Sequence, residues 1–298
     1  MVPDARPRSY YGLPILQRPA WRDEVPLYLF AGGLGGVSLA MAAGARRAGQ
    51  EELARRALLT GLAGLAVSPV LLVRDLGRPA RFLAMLRVFR PTSPMSVGSW
   101  LLSACGACAG AAAAGEVLGI ARPAARAAEV AAGALGLGVA TYTAVLVADT
   151  SVPLWHGARE ELPFVFAGSA AAAAGGVLMA LTPRPLARPA RILGAGGAVV
   201  ELLASRAMEG RLGEQGEPLR RGEAGRWRRA SQALAVSGAA VAALGAGRSR
   251  TAAVLGGASL AAASLCTRFA VFRAGQASAL DPAQLVGPQR AGMVAAGR

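Results

Sequence analysis

The chain consists of long apolar blocks separated by short polar segments. A helix needs about 20 mostly apolar residues to cross about 30 Å of hydrocarbon. Eight blocks approach this length: 25–45, 53–73, 95–118, 128–148, 163–181, 189–208, 230–246 and 251–272. The blocks are continuous apolar runs rather than the ten-residue alternations of a membrane β-barrel. The pattern therefore predicts an all-α, polytopic membrane protein with eight transmembrane helices.

The order of the blocks also predicts how the chain is divided. Phe30-Ala-Gly32 opens the first block and Phe166-Ala-Gly168 opens the fifth, which indicates a four-plus-four repeat. A composition rich in Ala and Gly can generate the same match by itself. The predicted parts are a polar N-terminal segment, a first set of four spans, a second set of four spans and a C-terminal tail, at 1–24, 25–149, 150–272 and 273–298.

The amino-acid composition is typical of a membrane protein. Hydrophobic residues make up 54% of the chain and charged residues 16%, whereas a soluble domain carries about 25% charge. The net charge is +15 and every basic residue is Arg. Such a charge can indicate nucleic-acid binding. Here the Arg residues form short clusters between apolar blocks, so we expect a lipid bilayer and no nucleic acid as the partner.

The distribution of arginine predicts the orientation. With eight spans both termini lie on one side, which holds 21 Arg against 11 on the other. Excess Arg marks the cytoplasmic side, so we expect cytoplasmic termini. A docking partner on the basic face accounts for the same excess.

Metal ligands are scarce. The only Cys residues are Cys105, Cys108 and Cys266, and the only His is His156. Three thiolates cannot fill a four-Cys cluster site, and one imidazole cannot supply both axial ligands of a haem. We therefore expect no haem, no iron–sulfur cluster and no other metal in this chain. The Cys105-x-x-Cys108 spacing lies inside a span and is interpreted as helix packing.

Four polar side chains are predicted at one membrane face. Asp75 and Asp149 end the second and fourth spans, His156 follows closely, and Tyr28 begins the first span on the same side. Each has a structural alternative: Asp75 pairs with Arg78, Asp149 caps a loop and Tyr28 anchors a helix at the interface. As a group beside apolar helices, they predict a quinol site with acceptors for the hydroxyl protons.

Glu201 is the most costly ionisable residue to bury, because it lies well inside the sixth span. It is expected to be protonated or paired with an Arg. We take it as a candidate cofactor-binding residue, and it also leaves open a proton or ion transporter.

The connection between the second and third spans has an amphipathic pattern. One helical face carries Phe82, Met85, Leu86 and Phe89, and the remaining positions include Arg81, Arg87 and Arg90. This pattern is typical of a helix that lies in the membrane interface. An ordinary amphipathic connector would look the same.

These motifs resemble one family. The run from Asp75-Leu-Gly-Arg-Pro to Gly98-Ser-Trp100 strongly resembles the signature of the NrfD/PsrC family, the membrane subunits of polysulfide reductase and its relatives. Three other segments are similar to that family as well: Tyr10-Tyr-Gly-Leu-Pro14, Pro26-Leu-Tyr-Leu-Phe-Ala-Gly-Gly33, and Pro153-Leu-Trp-His156 with Pro163-Phe-Val-Phe-Ala-Gly-Ser169. The resemblance covers roughly the first 200 residues.

The resemblance implies a subunit of eight helices in two four-helix bundles, with the quinone on the side of the first bundle. Such subunits anchor an iron–sulfur (ferredoxin-like) subunit, often together with a molybdopterin catalytic subunit. They exchange electrons with menaquinol or another quinol near the docking face. The catalytic centre is then expected on the partner subunits, and this chain in the bacterial plasma membrane.

Residue by residue, the resemblance gives Asp75, Arg78 and Arg81 a place at the pocket or at the docking face, and Tyr142 resembles a tyrosine that contacts quinone. This chain lacks the His that some members have in the first or second helix, and only His156 substitutes for it. In several members the face that holds the quinone and docks the partner lies outside the cytoplasm. The distribution of Arg in this chain instead predicts a cytoplasmic face.

The assignments are therefore as follows. The predicted catalytic residues are Asp75, Asp149 and His156; those predicted to bind quinone are Tyr28, Arg78, Tyr142 and Glu201; those predicted to dock the partner are Arg81, Arg87 and Arg90. The predicted function is a quinol-linked membrane anchor of an oxidoreductase complex. A passive anchor and a proton or ion transporter remain the alternatives.

Overall fold

A computed structural model describes residues 16, 19, 21–75, 84–282 and 284 of the chain. All regular secondary structure within these residues is helical, which confirms the all-α prediction. The α-helices in this part of the chain are α1 (Glu24–Arg47), α2 (Glu51–Asp75), α3 (Pro94–Leu118), α4 (Arg122–Ala148), α5 (Pro153–Gly157), α6 (Leu162–Leu181), α7 (Arg188–Leu212), α8 (Glu217–Arg220), α9 (Gly222–Leu244) and α10 (Arg250–Leu280).

Six of the eight predicted spans are confirmed as candidates by length and apolar character. Among the described residues these are α1, α2, α3, α4, α6 and α10. The other two long helices, α7 and α9, are more polar. Glu201 and Arg206 lie inside α7, and α9 has a cluster of Arg in its first turns. The helix α10 also continues to Leu280, beyond the predicted end of the eighth span at residue 272.

The long helices pack mainly with others from the same half of the chain. In the first half, α1 packs against α2 and α4, and α3 packs against α4. In the second half, α6 packs against α7 and α10, and α9 packs against α10. The two halves meet where α1 and α4 contact α6, and where α1 contacts α10.

Contacts at the helix ends define two faces of the molecule. On one face, which we call the terminal-side face, α1 begins and α2 ends beside each other, and the backbone N–H of Arg22 donates to Asp75. On the opposite face, α1 ends and α4 begins, where Arg46 pairs with Glu129. The helix α1 therefore runs antiparallel to both α2 and α4.

Glycine allows the closest helix crossings. Gly36 of α1 and Gly136 of α4 face each other, and a Cβ at either position would overlap the backbone of the other. Gly176 of α6 and Gly257 of α10 make a similar crossing. Small residues let helix backbones approach in lipid, where the hydrophobic effect does not drive helices together.

The first two helices of each half share a packing pattern. Gly61 and Gly64 of α2 contact α1, and Gly194 and Gly197 of α7, with the same spacing, contact α6. One turn beyond each pair a polar residue follows, Ser68 in α2 and Glu201 in α7. These two lie beside Gly32 and Gly168, the glycines of the repeated Phe-Ala-Gly motif. The two halves therefore share this local packing arrangement, and the four-plus-four repeat itself stays a prediction.

Candidate functional site

Tyr28, Asp75 and Tyr142 come together near the terminal-side face. They lie on three helices: Tyr28 in the second turn of α1, Asp75 at the end of α2 and Tyr142 in the second half of α4. Tyr28 is buried, and its phenol interacts electrostatically with both Tyr142 and Asp75. Three of the predicted site residues, distant in sequence, are therefore neighbours in the fold.

The end of α2 places Asp75 in this group. Its side chain is half-buried, and Oδ1 accepts a hydrogen bond from the backbone N–H of Arg22, with N and O 3.0 Å apart. Two turns earlier, Ser68 Oγ donates to the carbonyl oxygen of Tyr28 over 3.2 Å. These contacts fix α2 against the start of α1 from both sides of the site. The predicted partner of Asp75, Arg78, lies outside the described residues.

Tyr142 is held at the start of α3. Its hydroxyl donates to the carbonyl oxygen of Pro94, the first residue of that helix. Its ring lies on Gly98, where an added Cβ would overlap the ring. Gly98 therefore has a steric reason to be glycine, and the Gly98-Ser-Trp100 motif is in direct contact with the site.

An exposed apolar surface adjoins Tyr142. Phe89 is 57% exposed and Trp100 40% exposed, and their rings meet edge to face with centroids 6.2 Å apart. Ser96 organises the segment before α3, because its Oγ accepts from the N–H of Arg90 over 3.0 Å and donates to the carbonyl of Val88 over 3.2 Å. We call residues 84–100 the ledge.

The ledge also carries charge. Arg87 and Arg90, predicted to dock a partner, are exposed, whereas Arg81 lies outside the described residues. Of the predicted amphipathic face, Phe89 is exposed and Met85 and Leu86 are half-buried; Phe82 falls outside the described part. Apolar rings and guanidinium groups thus share one surface at the terminal-side face.

Asp149 and His156 lie on the same face but outside the Tyr28 group. Asp149 follows the last turn of α4 and is exposed. His156 lies in the short helix α5 and is exposed too. Among the contacts of the described residues, neither side chain reaches Tyr28 or Asp75. Both side chains are therefore exposed to solvent and lie apart from the Tyr28 group.

Trp155 has a structural role that the sequence did not reveal. Its ring is buried between Trp21 and Phe272, with centroids 5.5 and 6.1 Å away, and its Nε1 donates to the carbonyl of Val271 over 2.8 Å. The connection between the two halves is thereby fixed to α10. The neighbouring His156 is displayed at the surface as a result.

Glu201 belongs to a second, separate polar group in the other half. Its carboxylate accepts hydrogen bonds from Thr267 of α10 and Ser231 of α9. Arg268, next to Thr267, is also buried, and its guanidinium stacks on the Phe166 ring 3.7 Å from the centroid. The sequence analysis missed Arg268, although an Arg inside the apolar block 251–272 was the signal for it.

The cysteines and other metal-binding side chains form no cluster in the described part of the chain. Within it, no group of three or more His, Cys, Asp or Glu residues is placed to hold a metal ion. The Sγ of Cys105 approaches the carbonyl of Ala132 at 3.5 Å, and Cys105 and Cys108 are both free thiols. This geometry fits helix packing.

Comparison with known families gives one match. The family model described as "Polysulphide reductase, NrfD" matches residues 17–186, more than half of the chain. The matched region contains α1 to α6 and therefore Tyr28, Asp75 and Tyr142; it ends before α7 and Glu201. A search of curated proteins found no match.

Proposed function

The chain belongs to the NrfD family of polysulphide reductase membrane proteins, and from this we propose that it is the quinone-reactive membrane subunit of an oxidoreductase complex. The observation that carries the proposal is the meeting of Tyr28, Asp75 and Tyr142 beside the ledge. A quinone needs an apolar surface for its ring and polar groups for its two oxygens.

We propose that all eight long helices cross the membrane, in two four-helix bundles. At 1.5 Å per residue, α7 and α9 are about 37 and 34 Å long, which exceeds the roughly 30 Å of hydrocarbon. Both pack along helices that qualify as spans, α7 on α6 and α9 on α10. Charged residues inside a multispanning protein are tolerated when they face the bundle interior, as Glu201 does. We propose that the termini lie on the cytoplasmic side of a bacterial plasma membrane, from the distribution of Arg.

The side chains of the site fit a bound quinol. Oxidation of a quinol releases two electrons and two protons. Trp100 and Phe89 supply exposed aromatic surface for the ring. The hydroxyl of Tyr142 donates to Pro94, so its oxygen lone pairs stay available to accept a hydrogen bond from a quinol hydroxyl.

Asp75 is the proposed proton acceptor. One of its oxygens is engaged by a backbone N–H, which orients the carboxylate, and the other is not committed to that bond. From Asp75 the proton reaches water at the terminal-side face, where Asp149 and His156 are exposed. Positioned carboxylates and imidazoles of this kind contribute about 10²–10⁴-fold to proton-transfer steps.

The electron acceptor is placed on a partner. This chain has one His and three Cys, too few for a haem with two His ligands or for a four-Cys cluster. Members of the family generally pair with other redox subunits. We therefore propose an iron–sulfur (ferredoxin-like) subunit, joined by a molybdopterin catalytic subunit, docked at the terminal-side face. The exposed Arg87 and Arg90 of the ledge suit an acidic partner surface.

The first test is isolation of the chain from its native membrane in mild detergent, with the co-purifying subunits identified by mass spectrometry. An iron–sulfur protein in stoichiometric yield supports the proposed complex. Binding of a fluorescent quinone-site inhibitor to that complex then supports quinone chemistry in it. A complex with no inhibitor binding identifies a passive anchor, and recovery of the chain alone contradicts the proposed partner.

A further inference from the structure

The polar group around Glu201 is deeply buried. Glu201 is 2% exposed and Arg268 1% exposed, and the group lies at the contact of α6, α7, α9 and α10. Ser231 Oγ is 2.6 Å from Thr267 Oγ1, and both hydroxyls contact Glu201 Oε1. Such a group is costly to bury unless every polar atom has a partner.

Several atoms of this group lack a partner. In the described part of the chain, Glu201 Oε2 and the Nε and Nη1 of Arg268 are buried and make no hydrogen bond. The Nη2 of Arg268 instead donates to the carbonyl of Phe166 over 2.9 Å. Glu201 and Arg268 form no ion pair among the described residues, so the carboxylate has an open acceptor oxygen.

A small cavity adjoins this carboxylate. Its lining comes mainly from α7, α9 and α10 and includes Glu201, Ser205, Gln232, Glu209 and Arg228. About 30 Å³ of the cavity is open to the centre of a water molecule. Because about 10–15 Å³ of such volume holds one water, the cavity has room for water. Glu209 and Arg228 pair at 3.1 Å where the cavity approaches the terminal-side face.

We propose that Glu201 is a proton-binding site, loaded through this cavity from the terminal-side face and distinct from the quinone site. The carboxylate takes up one proton from water and becomes a neutral carboxylic acid, and it returns the proton by the same route. Thr267 and Ser231 stabilise the ionised form, and the pairing of Glu209 with Arg228 closes the mouth.

The groups that face Glu201 are few. The helix α10 contributes Arg268 and Cys266. The helix α9 contributes Arg228, which lines the cavity where it pairs with Glu209. Its own helix contributes Glu209 at the mouth, and α6 contributes the uncharged Ser169, which donates to Ser264 over 2.8 Å. Arg268 is therefore the buried cation that controls how readily the proton leaves.

Glu129 provides an internal comparison. It is buried to the same degree, at 3% exposed, but the Nε of Arg46 donates to both of its oxygens over 3.0 and 2.8 Å. Glu129 thus has a direct ion pair with a cation, whereas Glu201 has hydroxyl partners and an adjoining water-sized cavity. We therefore expect Glu201 to be the carboxyl group that takes up the proton.

The test uses the full-length chain in membranes treated with dicyclohexylcarbodiimide, an apolar reagent that modifies protonated carboxyl groups. We expect mass spectrometry to find the adduct on Glu201 at a level at least tenfold above Glu129. Labelling should fall as the pH is raised and should disappear in Glu201→Gln. Equal labelling of the two residues, or an adduct on Glu129 alone, would overturn the proposal.

Infrared difference spectroscopy covers the case in which the reagent does not enter. A carboxylic-acid carbonyl band that titrates with pH, shifts in D₂O and is absent from Glu201→Gln supports the proton site. A spectrum in which no titrating carboxyl band is lost in that variant refutes it. Both measurements need neither quinone nor partner, so their outcome is separate from that of the proposed function.

Discussion

The hydroxyl of Tyr142 on α4 donates a hydrogen bond to the carbonyl oxygen of Pro94, the first residue of α3. Because the same ring rests on Gly98, one turn further along α3, a single side chain holds the start of that helix at two points. The ledge, residues 84–100, contains this helix start. Changes at this contact should therefore affect both the stability of the fold and the proposed quinone site.

Gly98→Ala should damage the fold and the site together. The added Cβ would overlap the Tyr142 ring, and overpacking of this kind costs about 1–3 kcal/mol. We expect a lower apparent melting temperature in detergent and weaker binding of the fluorescent quinone-site inhibitor. Gly106→Ala is the matched control, because a Cβ at Gly106 on the same helix meets open space. Equal behaviour of the two variants would contradict the proposed contact.

Tyr142→Phe separates the hydroxyl from the ring. The variant keeps the packing on Gly98 and loses one hydrogen-bonding group, which is worth about 0.5–1.5 kcal/mol. We expect the Kd of the quinone-site inhibitor to rise about 2- to 10-fold, and the apparent melting temperature to fall by less than in Gly98→Ala. An unchanged Kd would show that Tyr142 positions α3 without touching the quinone.

Asp75→Asn should slow quinol oxidation by at least about tenfold, because a general base is lost. The amide oxygen can still accept the hydrogen bond from the N–H of Arg22, so the complex should assemble normally. Turnover with a soluble quinol and the yield of partner subunits measure the two effects. Glu160→Gln, a change at an exposed carboxylate on the same face, is the control. Wild-type turnover in Asp75→Asn would exclude Asp75 as the proton acceptor.

Most of the fold could be predicted from the sequence, because apolar block length is a direct consequence of bilayer thickness. All eight predicted blocks are long helices, but only six are apolar enough to qualify as spans. The two that fall short, α7 and α9, carry their charges in the interior or near an end. Block length does not show whether a charge is buried by neighbouring helices.

Acidification should loosen the contact between α6 and α7. The hydrogen bonds and charge of Arg211 hold the pKa of Glu161 below its ordinary value. The ion pair stabilises the folded chain fully above the pKa that Glu161 has in the unfolded chain, about 4.3. This stabilisation is lost as the pH falls through the lower pKa of Glu161 in the folded chain. Because Arg211 is partly exposed, we expect this ion pair to contribute about 1 kcal/mol or less to the free energy of unfolding.

Glu161→Gln provides the measurement. Its apparent melting temperature should be lower than that of the unmodified chain at pH 7, and the two should converge only as the pH falls below the unfolded pKa of about 4.3. A difference that grows as the pH falls would have the wrong sign for this ion pair.

Removing Arg46 should destabilise the opposite face more than removing any one of its partners. Its guanidinium pairs with Glu129 at 2.8 Å, Glu51 at 2.5 Å and Glu116 at 3.3 Å. Arg46→Met leaves the buried Glu129 without its cation, and breaking a buried pair costs about 3–5 kcal/mol. Glu129→Gln should cost less, since Arg46 keeps two carboxylates. Thermal stability of the two variants in detergent checks the order, and the reverse order would contradict it.

The candidate site could be predicted only in part. Tyr28 and Asp75 were identified by residue type and position, and Tyr142 by the family resemblance. The structure brings the three together because α1 packs against both α2 and α4. Glu201 was grouped with them by chemistry, but it lies in the other half. Its true neighbours, Thr267 and Arg268, are more than 60 positions away, and sequence spacing gives no sign of such a contact.

The crossing of Gly36 and Gly136 has a mechanical consequence. At this crossing no side chain separates the two backbones, so we expect α1 and α4 to resist sliding past each other there. The two helices join the Arg46 pairs on one face to the Tyr28 group on the other. We therefore expect a displacement at one end of the pair to be transmitted to the other end.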